Sequence, residues 1–350
     1  IYMERRQGVP KVRYVDFQDG GRFEVNFKES VYHLDWGDNP RFQAQHLRLI
    51  YQSPKQPPIT YDYKFRSQQF VTKKQWPQKK WDPRFYEIAR LMVPVRDKKE
   101  VPLILLYKRG LNKKGRNPVL LEAFGSKGES FKPLFRPYAM SLVNRGFVYA
   151  IAQVRGGGAL GPQWAQAGQR FNKWNSFYDF IDVSKNLIEN DITSKSGLVI
   201  RARGEGALLL GAAINEAPEL YKLVIGERPY VDLISSLTDT HMPLSGIHRL
   251  EYGDPSQKKD YQYLLSYSPY DNIREIDYPM VIATGGLYNG LYSYWEGAKW
   301  IAKLRQFSES GEKMRLKTYM GGQATGRYQA NQQEAEILAY ILEALDKVKP

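Results

Sequence analysis

The run "VIRARGEGALLLGAAIN", residues 199 to 215, opens as an apolar strand, turns on glycines and continues as an alanine/leucine helix. That is how a nucleophile elbow is built: one side chain stands on a tight strand-to-helix turn, with small residues two before and two after it so that helix and strand pack closely. The frame here is Ala202, Arg203, Gly204, Glu205, Gly206, so the tip is Gly204, which carries no oxygen. A serine at such a tip needs an adjacent base, usually a histidine oriented by a carboxylate. In hydrolases built on this elbow that base comes last in chain order. The histidines are His33, His46, His241 and His248, and none lies in the last hundred residues. Gly204 therefore reads as a turn glycine, and His241 and His248 as loop or interface residues.

The other chemistry-bearing stretches are weaker. Ser126 in "FGSKG" has the setting of a turn residue. "RGGGALG", Arg155 to Gly161, has the look of a phosphate loop but lacks the Lys-Ser/Thr that would follow one. No carboxylate spacing marks a glycosidase pair or a metal cluster, so neither metal nor cofactor is expected. Zero cysteines exclude disulfides, thiolate metal sites and a cysteine nucleophile, which fits an intracellular setting.

The elements that must position the elbow follow from periodicity. Apolar runs at "NPVLLEAF", "GFVYAIAQV", "SGLVIRA", "YKLVIGERPYVD" and "YPMVIATGG" read as buried parallel strands. Between them "SFYDFIDVSKNLIEN" and "YSYWEGAKWIAKLRQF" have helical spacing. The result is a doubly wound, mostly parallel α/β domain, entered at "EIARLMVPVRDKKEVPLILLYKR". Residues 1 to about 85 differ. "KVRYVDFQDGGRFEVNF" is a hairpin pattern, and "SVYHLDW", "HLRLIYQS" and "ITYDYKF" follow as short strands, suggesting about two propeller-type blades of four strands. No apolar run approaches the roughly 18 to 20 residues that span a bilayer. The N-terminus has no apolar signal core and reads as a processed or trimmed end.

Formal net charge is +14 over 350 residues. Between Lys64 and Val119 there are 16 Lys/Arg against 4 Asp/Glu, a surplus of 12. Lys73, Lys74, Lys79, Lys80, Lys113, Lys114 and Arg116 are the candidate contacts to a polyanion, RNA or an acidic protein surface. A solvated basic face is the plain alternative, and no RNA-binding signature accompanies the lysines.

Through "VPLILLYKRG", "NRGFVYAIAQVRGGGALG", "NKWNSFYDFIDV", "GALLLGAAINEAPELYKLVIGERPYVDL", "SYSPYDNI" and "YWEGAKWIAKLR", the chain resembles the prolyl oligopeptidase family of serine peptidases, most closely its oligopeptidase B branch. The resemblance runs over most of residues 1 to 345. It implies an α/β-hydrolase fold over 86–350, preceded at 1–85 by partial β-propeller blades and a link. It places the family's serine on Gly204, its aspartate on Asn289, its histidine on Gln323 and an oxyanion-binding tyrosine on Phe124. The acidic pair that favours basic side chains falls on His248 and Leu250. Taken together, these positions lead to the expectation that the chain is not an enzyme. The leading reading is then a catalytically inactive, oligopeptidase-B-like accessory subunit of a larger, RNA-containing or organellar assembly, with a mitochondrial or other organellar matrix as the expected compartment. The alternative is a module that binds peptides in the vacant cleft without cleaving them, and residual hydrolysis by an unrecognised nucleophile is a third.

Overall fold

A computed structural model of the chain describes all residues except 77–80, 113–115, 243–244, 289–290, 322–323, 325 and 348–350. Two small antiparallel sheets come first. One has three strands, β1 (Tyr2–Arg6), β2 (Val9–Val15) and β3 (Arg22–Val25), paired in chain order. The other has four, β4 (His33–Trp36), β5 (His46–Ser53), β6 (Gln56–Lys64) and β7 (Gln69–Gln75). Alternation along β5 and β6 sends every second residue inward. Their shared core is aromatic: Phe27 stacks on Tyr51 at 5.1 Å and Tyr14 on Phe23 at 4.9 Å. Among the described residues the first sheet has three strands where the sequence suggested four. β7 was also missed, because its outward lysines hide the period of two.

The third sheet has eight strands. After the 3-10 turn at Pro83–Phe85 come β8 (Tyr86–Pro94), β9 (Glu100–Lys108), β10 (Val119–Glu122), β11 (Val148–Ala152), β12 (Leu198–Arg203), β13 (Leu223–Glu227), β14 (Met280–Gly286) and β15 (Arg315–Tyr319). Their spatial order is β15-β14-β13-β12-β10-β11-β9-β8. Only β9 runs against its neighbours, pairing antiparallel with both β8 and β11. The parallel strands β10 to β13 are buried almost throughout, as expected of strands covered on both faces. The sequence's five buried parallel strands are β10 to β14. The β8–β9 hairpin and the half-exposed β15 were not resolved as separate strands from sequence.

Helices α1 (Pro137–Val143), α2 (Pro162–Gln166), α3 (Lys173–Glu189), α4 (Gly206–Glu216), α5 (Leu233–Thr238), α6 (Ser245–Tyr252), α7 (Lys258–Leu265), α8 (Tyr294–Phe307) and α9 (Arg327–Ala344) cover the sheet. Two apolar clusters fill its two faces, one around Phe177, Leu208 and Trp300, the other around Phe147, Tyr149 and Ile341. Every residue of α4 except Glu216 is buried, which its alanine and leucine content permits. A Cβ at Gly211 would come within 2.5 Å of Pro269, so the small residues of α4 set how closely it approaches its neighbours. The fold is an α/β hydrolase with an N-terminal β-rich portion. No described helix is long and apolar enough to cross a membrane.

Candidate functional site

The elbow forms where β12 ends. Gly204 takes φ +55°, the left-handed region that glycine enters without cost. Its N–H donates to the Glu227 carbonyl at 2.9 Å and its carbonyl accepts from Tyr230 N–H at 3.1 Å, which pins the turn between β12 and β13. Above it lies Tyr292. A Cβ built on Gly204 would meet Tyr292 Cε2 at 2.6 Å and Cζ at 2.8 Å. The phenol thus occupies the space into which an elbow side chain would project.

Beside the tip stands Glu205, one residue before α4, with 1% of its surface exposed. Its Oε1 accepts from Lys127 Nζ at 2.6 Å and from the Tyr292 hydroxyl at 3.1 Å, and lies 2.8 Å from His248 Nε2. Its Oε2 accepts from Tyr252 at 3.0 Å and lies 3.3 Å from Ser126 Oγ. Burial alone would raise this carboxyl's pKa. Hydrogen bonds from His248 and then Lys127 overcome that and hold it lowered, at about 2. Glu205 is therefore a fixed anion at neutral pH and not a proton shuttle. Burial, with Glu205 close by, raises the Tyr292 phenol, which stays neutral.

A second buried carboxylate extends the cluster. Glu251 accepts from Lys173 Nζ at 3.1 Å, from Ser126 Oγ at 3.1 Å and from Gln169 Nε2 at 2.7 Å. Lys173 also donates to the Gly125 carbonyl at 2.9 Å, and burial lowers its pKa against the pull of Glu251. Ser126 is buried between Glu205, Glu251 and the Tyr252 hydroxyl. Among the described residues no serine hydroxyl is hydrogen-bonded to an imidazole here. The cluster holds charge in place; it is not arranged as a serine with its base.

Gly204 stands at the tip of the turn, as its setting in sequence indicated. Phe124 packs against the start of α4, with Cδ2 3.3 Å from where a Gly206 Cβ would sit. His248 is not a loop residue: α6 carries it into the core, its ring 4.7 Å from that of Tyr230 and its Nε2 on Glu205. Leu250, two residues on, points out and is 74% exposed. His241 is exposed and, among the described residues, pairs only with Asp239. Asn289 and Gln323 lie outside the described residues, as do Lys79, Lys80, Lys113 and Lys114. Lys73 and Lys74 are exposed on β7, the outer strand of the four-stranded sheet. There lysines discourage edge-to-edge pairing. Arg116 is on the loop entering β10, 3.5 Å from Asp191. The glycines of "RGGGALG" pack on the "FGSKG" loop, since a Cβ at Gly158 would lie 2.2 Å from the Gly128 carbonyl oxygen. The preceding Arg155 is bound by Asp179 and Asp97. This loop is a packing element. Among the described residues no cluster has the composition of a metal site.

Lys127, Glu205, Glu251 and Tyr292 were not singled out from sequence. One signal was available: a glutamate between two glycines at the first turn of a wholly apolar helix must be buried, and a buried carboxylate needs partners.

The prolyl oligopeptidase family matches residues 133–348. Dipeptidyl aminopeptidase BI of Pseudoxanthomonas mexicana is 34% identical over 99% of this chain and 48% of its own length. Protease 2 of Moraxella lacunata is 32% identical over 97% of this chain and 50% of its own. Oligopeptidase B of Leishmania major superposes with a TM-score of 0.91 at 30% identity, covering 99% of this chain and 50% of that structure. Its Trypanosoma brucei counterpart, with covalently bound antipain, gives 0.91 at 31% identity. The chain spans about half the length of the curated relatives it matches. These matches overturn the expectation that the chain is not an enzyme, because relatives aligned along almost its whole length are named as peptidases. That expectation rested on the aligned positions 204, 289, 323 and 124 and on the lack of a histidine in the last hundred residues; of these, 289 and 323 lie outside the described residues. Gly204 shows only which residue does not supply a nucleophilic oxygen.

Proposed function

The chain belongs to the prolyl oligopeptidase family, and from that premise we propose that it engages short peptides at the C-terminal edge of its large sheet, in the cleft around the elbow, as an oligopeptidase-B-like peptidase domain does. One observation carries the reading. The strand-turn-helix that presents the reacting residue in this fold is intact, with Gly204 at φ +55° between β12 and α4, inside a domain that superposes on oligopeptidase B at a TM-score of 0.91. Open α/β sheets bind ligands outside the carboxyl ends of their strands, where the strand order reverses. Here β12 sits beside β10 at such a reversal.

The elbow also states a chemical condition. An acyl-enzyme at residue 204 has no oxygen to form on, so any peptide-bond cleavage in this cleft draws its nucleophile from another group or from water. The test is a paired measurement on the full chain: anisotropy of a labelled short peptide, and mass spectrometry of the same mixture for cleavage products. Saturable binding that is lost in Gly204→Trp, where the indole would compete with Tyr292 for the space above the turn, supports the reading. Products that form with the wild type and vanish in Gly204→Trp place cleavage in the same cleft. Absence of saturable binding overturns it.

A second reading concerns partners. The exposed Lys73 and Lys74 on the outer strand β7 favour docking of an acidic protein surface there. Reversal of both charges would abolish co-purification of such a partner, and unchanged co-purification would sink the idea.

A further inference from the structure

On the side of the elbow away from Glu205 there is a cavity of about 270 Å³. It opens between the C-terminal ends of β13 to β15 and the first turns of α9, with Arg203, Glu227, Arg228, Thr284, Asn331 and Glu334 among its walls. The charges on and behind these walls do not balance. Glu227 accepts from Arg201 and from Arg203, each at 2.7 Å. Glu334 takes both terminal nitrogens of Arg201, at 2.6 and 2.8 Å. Deeper in, buried Glu122 accepts from Tyr138 and Tyr149 and lies 3.9 Å from Arg201 Nε. It also helps to hold the charge of Arg136. Four guanidiniums, at 136, 201, 203 and 228, thus face three carboxylates, at 122, 227 and 334. Among the described residues neither Arg136 nor Arg228 has an ion pair; Arg136 lies behind the wall, over the Phe131 ring, so the unpaired guanidinium that lines the cavity is that of Arg228.

Arg228 is held there at some cost. Its backbone is left-handed, φ +49°, in a residue with a long side chain. Its N–H is tied to the Thr284 carbonyl at 2.6 Å. Backbone strain of this kind persists where the surroundings over-determine it, and it concentrates at ligand sites. Burial first, and Arg203 second, lower the pKa of the guanidinium, with Glu227 and Tyr292 opposing. A half-buried, unpaired arginine whose neighbour has the same sign is an unmet demand for an anion.

We propose that this cavity binds the C-terminal carboxylate of a short peptide lying across the elbow, with Arg228 as the principal donor and Arg203 beside it. A carboxylate presents two coplanar oxygens to the fork of a guanidinium. Its single charge equals the surplus of one, whereas a phosphate dianion would exceed it and face Glu227 and Glu334. The position supports a peptide as the source: Arg203 immediately precedes Gly204, and the Glu227 carbonyl accepts the Gly204 N–H. Tyr292, above the tip, is a near neighbour of Arg228, so the cavity and the elbow adjoin. The inference rests on the peptide-engagement reading and adds to it a preference for peptides with a free C-terminus.

Calorimetric titration of the full chain with an alanine pentapeptide, as the free acid and as the C-terminal amide, tests it. The acid is expected to bind about tenfold or more tightly than the amide. Arg228→Gln should erase that preference by weakening the acid to the level of the amide, and Arg228→Lys should keep part of it. Circular dichroism of both variants establishes that they fold. Equal affinities for acid and amide in the wild type overturn this inference and leave the peptide reading standing. A preference that survives Arg228→Gln overturns the assignment to Arg228. If neither form binds, the peptide reading itself fails and takes the carboxylate site with it. Competition by inorganic phosphate but not by acetate replaces the carboxylate with a phosphate site.

Discussion

The two flanks of one glycine turn are built on opposite terms. On the flank facing α6, every charge is answered: Glu205 has Lys127 and His248, and Glu251 has Lys173. On the flank facing α9, Arg201, Arg203 and their glutamates are answered while Arg228 is not. Both regions are buried or half-buried, and both border the residue that would carry the chemistry of an elbow hydrolase. The saturated flank contributes to the fold. The unsaturated flank holds an open cavity, so it is where a ligand gains most by supplying a charge.

The sharpest way to break this contrast is to remove the anion at the centre of the saturated flank. Glu205→Ala leaves Lys127 and His248 without their acceptor and is expected to cost about 3 to 5 kcal/mol, read by urea unfolding. If it costs less than about 1 kcal/mol, the two flanks do not differ. Acid should expose the same dependence in the wild type. Because the folded pKa of Glu205 lies below the unfolded value, its stabilisation is present above about pH 4.5 and is lost as pH falls toward about 2. The loss is about 3 kcal/mol, and an acid limb that is unchanged in Glu205→Gln would contradict it.

Glu296 titrates with the opposite sign. Burial raises it to about 7, although the N–H groups of Val231 and Asp232 and the hydroxyl of Ser236 bind it. Its contribution is present below about pH 4.5 and is lost as pH rises through about 7. Glu296→Gln should flatten that limb by about 3 kcal/mol, seen as a Tm that no longer falls between pH 5 and 8.

Gly204→Ser tests the tip itself. The added Cβ meets Tyr292 and the backbone is left-handed, so a loss of about 1 to 3 kcal/mol is expected, part of it recovered in Gly204→Ser/Tyr292→Ala. The new serine should not label with a fluorophosphonate, since the imidazole of His248 is engaged by Glu205. The smallest effect belongs to the unsaturated flank. Arg228→Gln should change stability by less than about 0.5 kcal/mol, because no ion pair is lost. A large loss there would mean that the flank is structural after all.

The large sheet was legible where its strands are wholly apolar. β10 to β14 and the helices α3 and α8 stand out because burial on both faces, or on one helical face, writes a period into the chain. β7 and β15 were not legible, since Lys73, Lys74, Arg315 and Lys317 break their alternation at the sheet margins. The elbow was legible from six or seven residues around Gly204. Its occupants were not. Ser126, Lys127, Glu205, His248, Glu251 and Tyr292 come from four separate segments, and Glu205 meets its partners across 43 to 87 residues of chain.

The sequence alone thus determined that a strand, a glycine turn and an apolar helix occur in succession, and that residue 204 offers no oxygen. Those are local properties, set by side-chain size, backbone freedom and periodicity. Only the tertiary structure decided that Tyr292 covers the tip, that His248 lies in the core while Leu250 faces solvent, and that Arg228 lines the cavity without an ion pair. Those depend on which side chains come within a few ångströms of one another across the chain, and burial then decides whether a charge without a partner is costly.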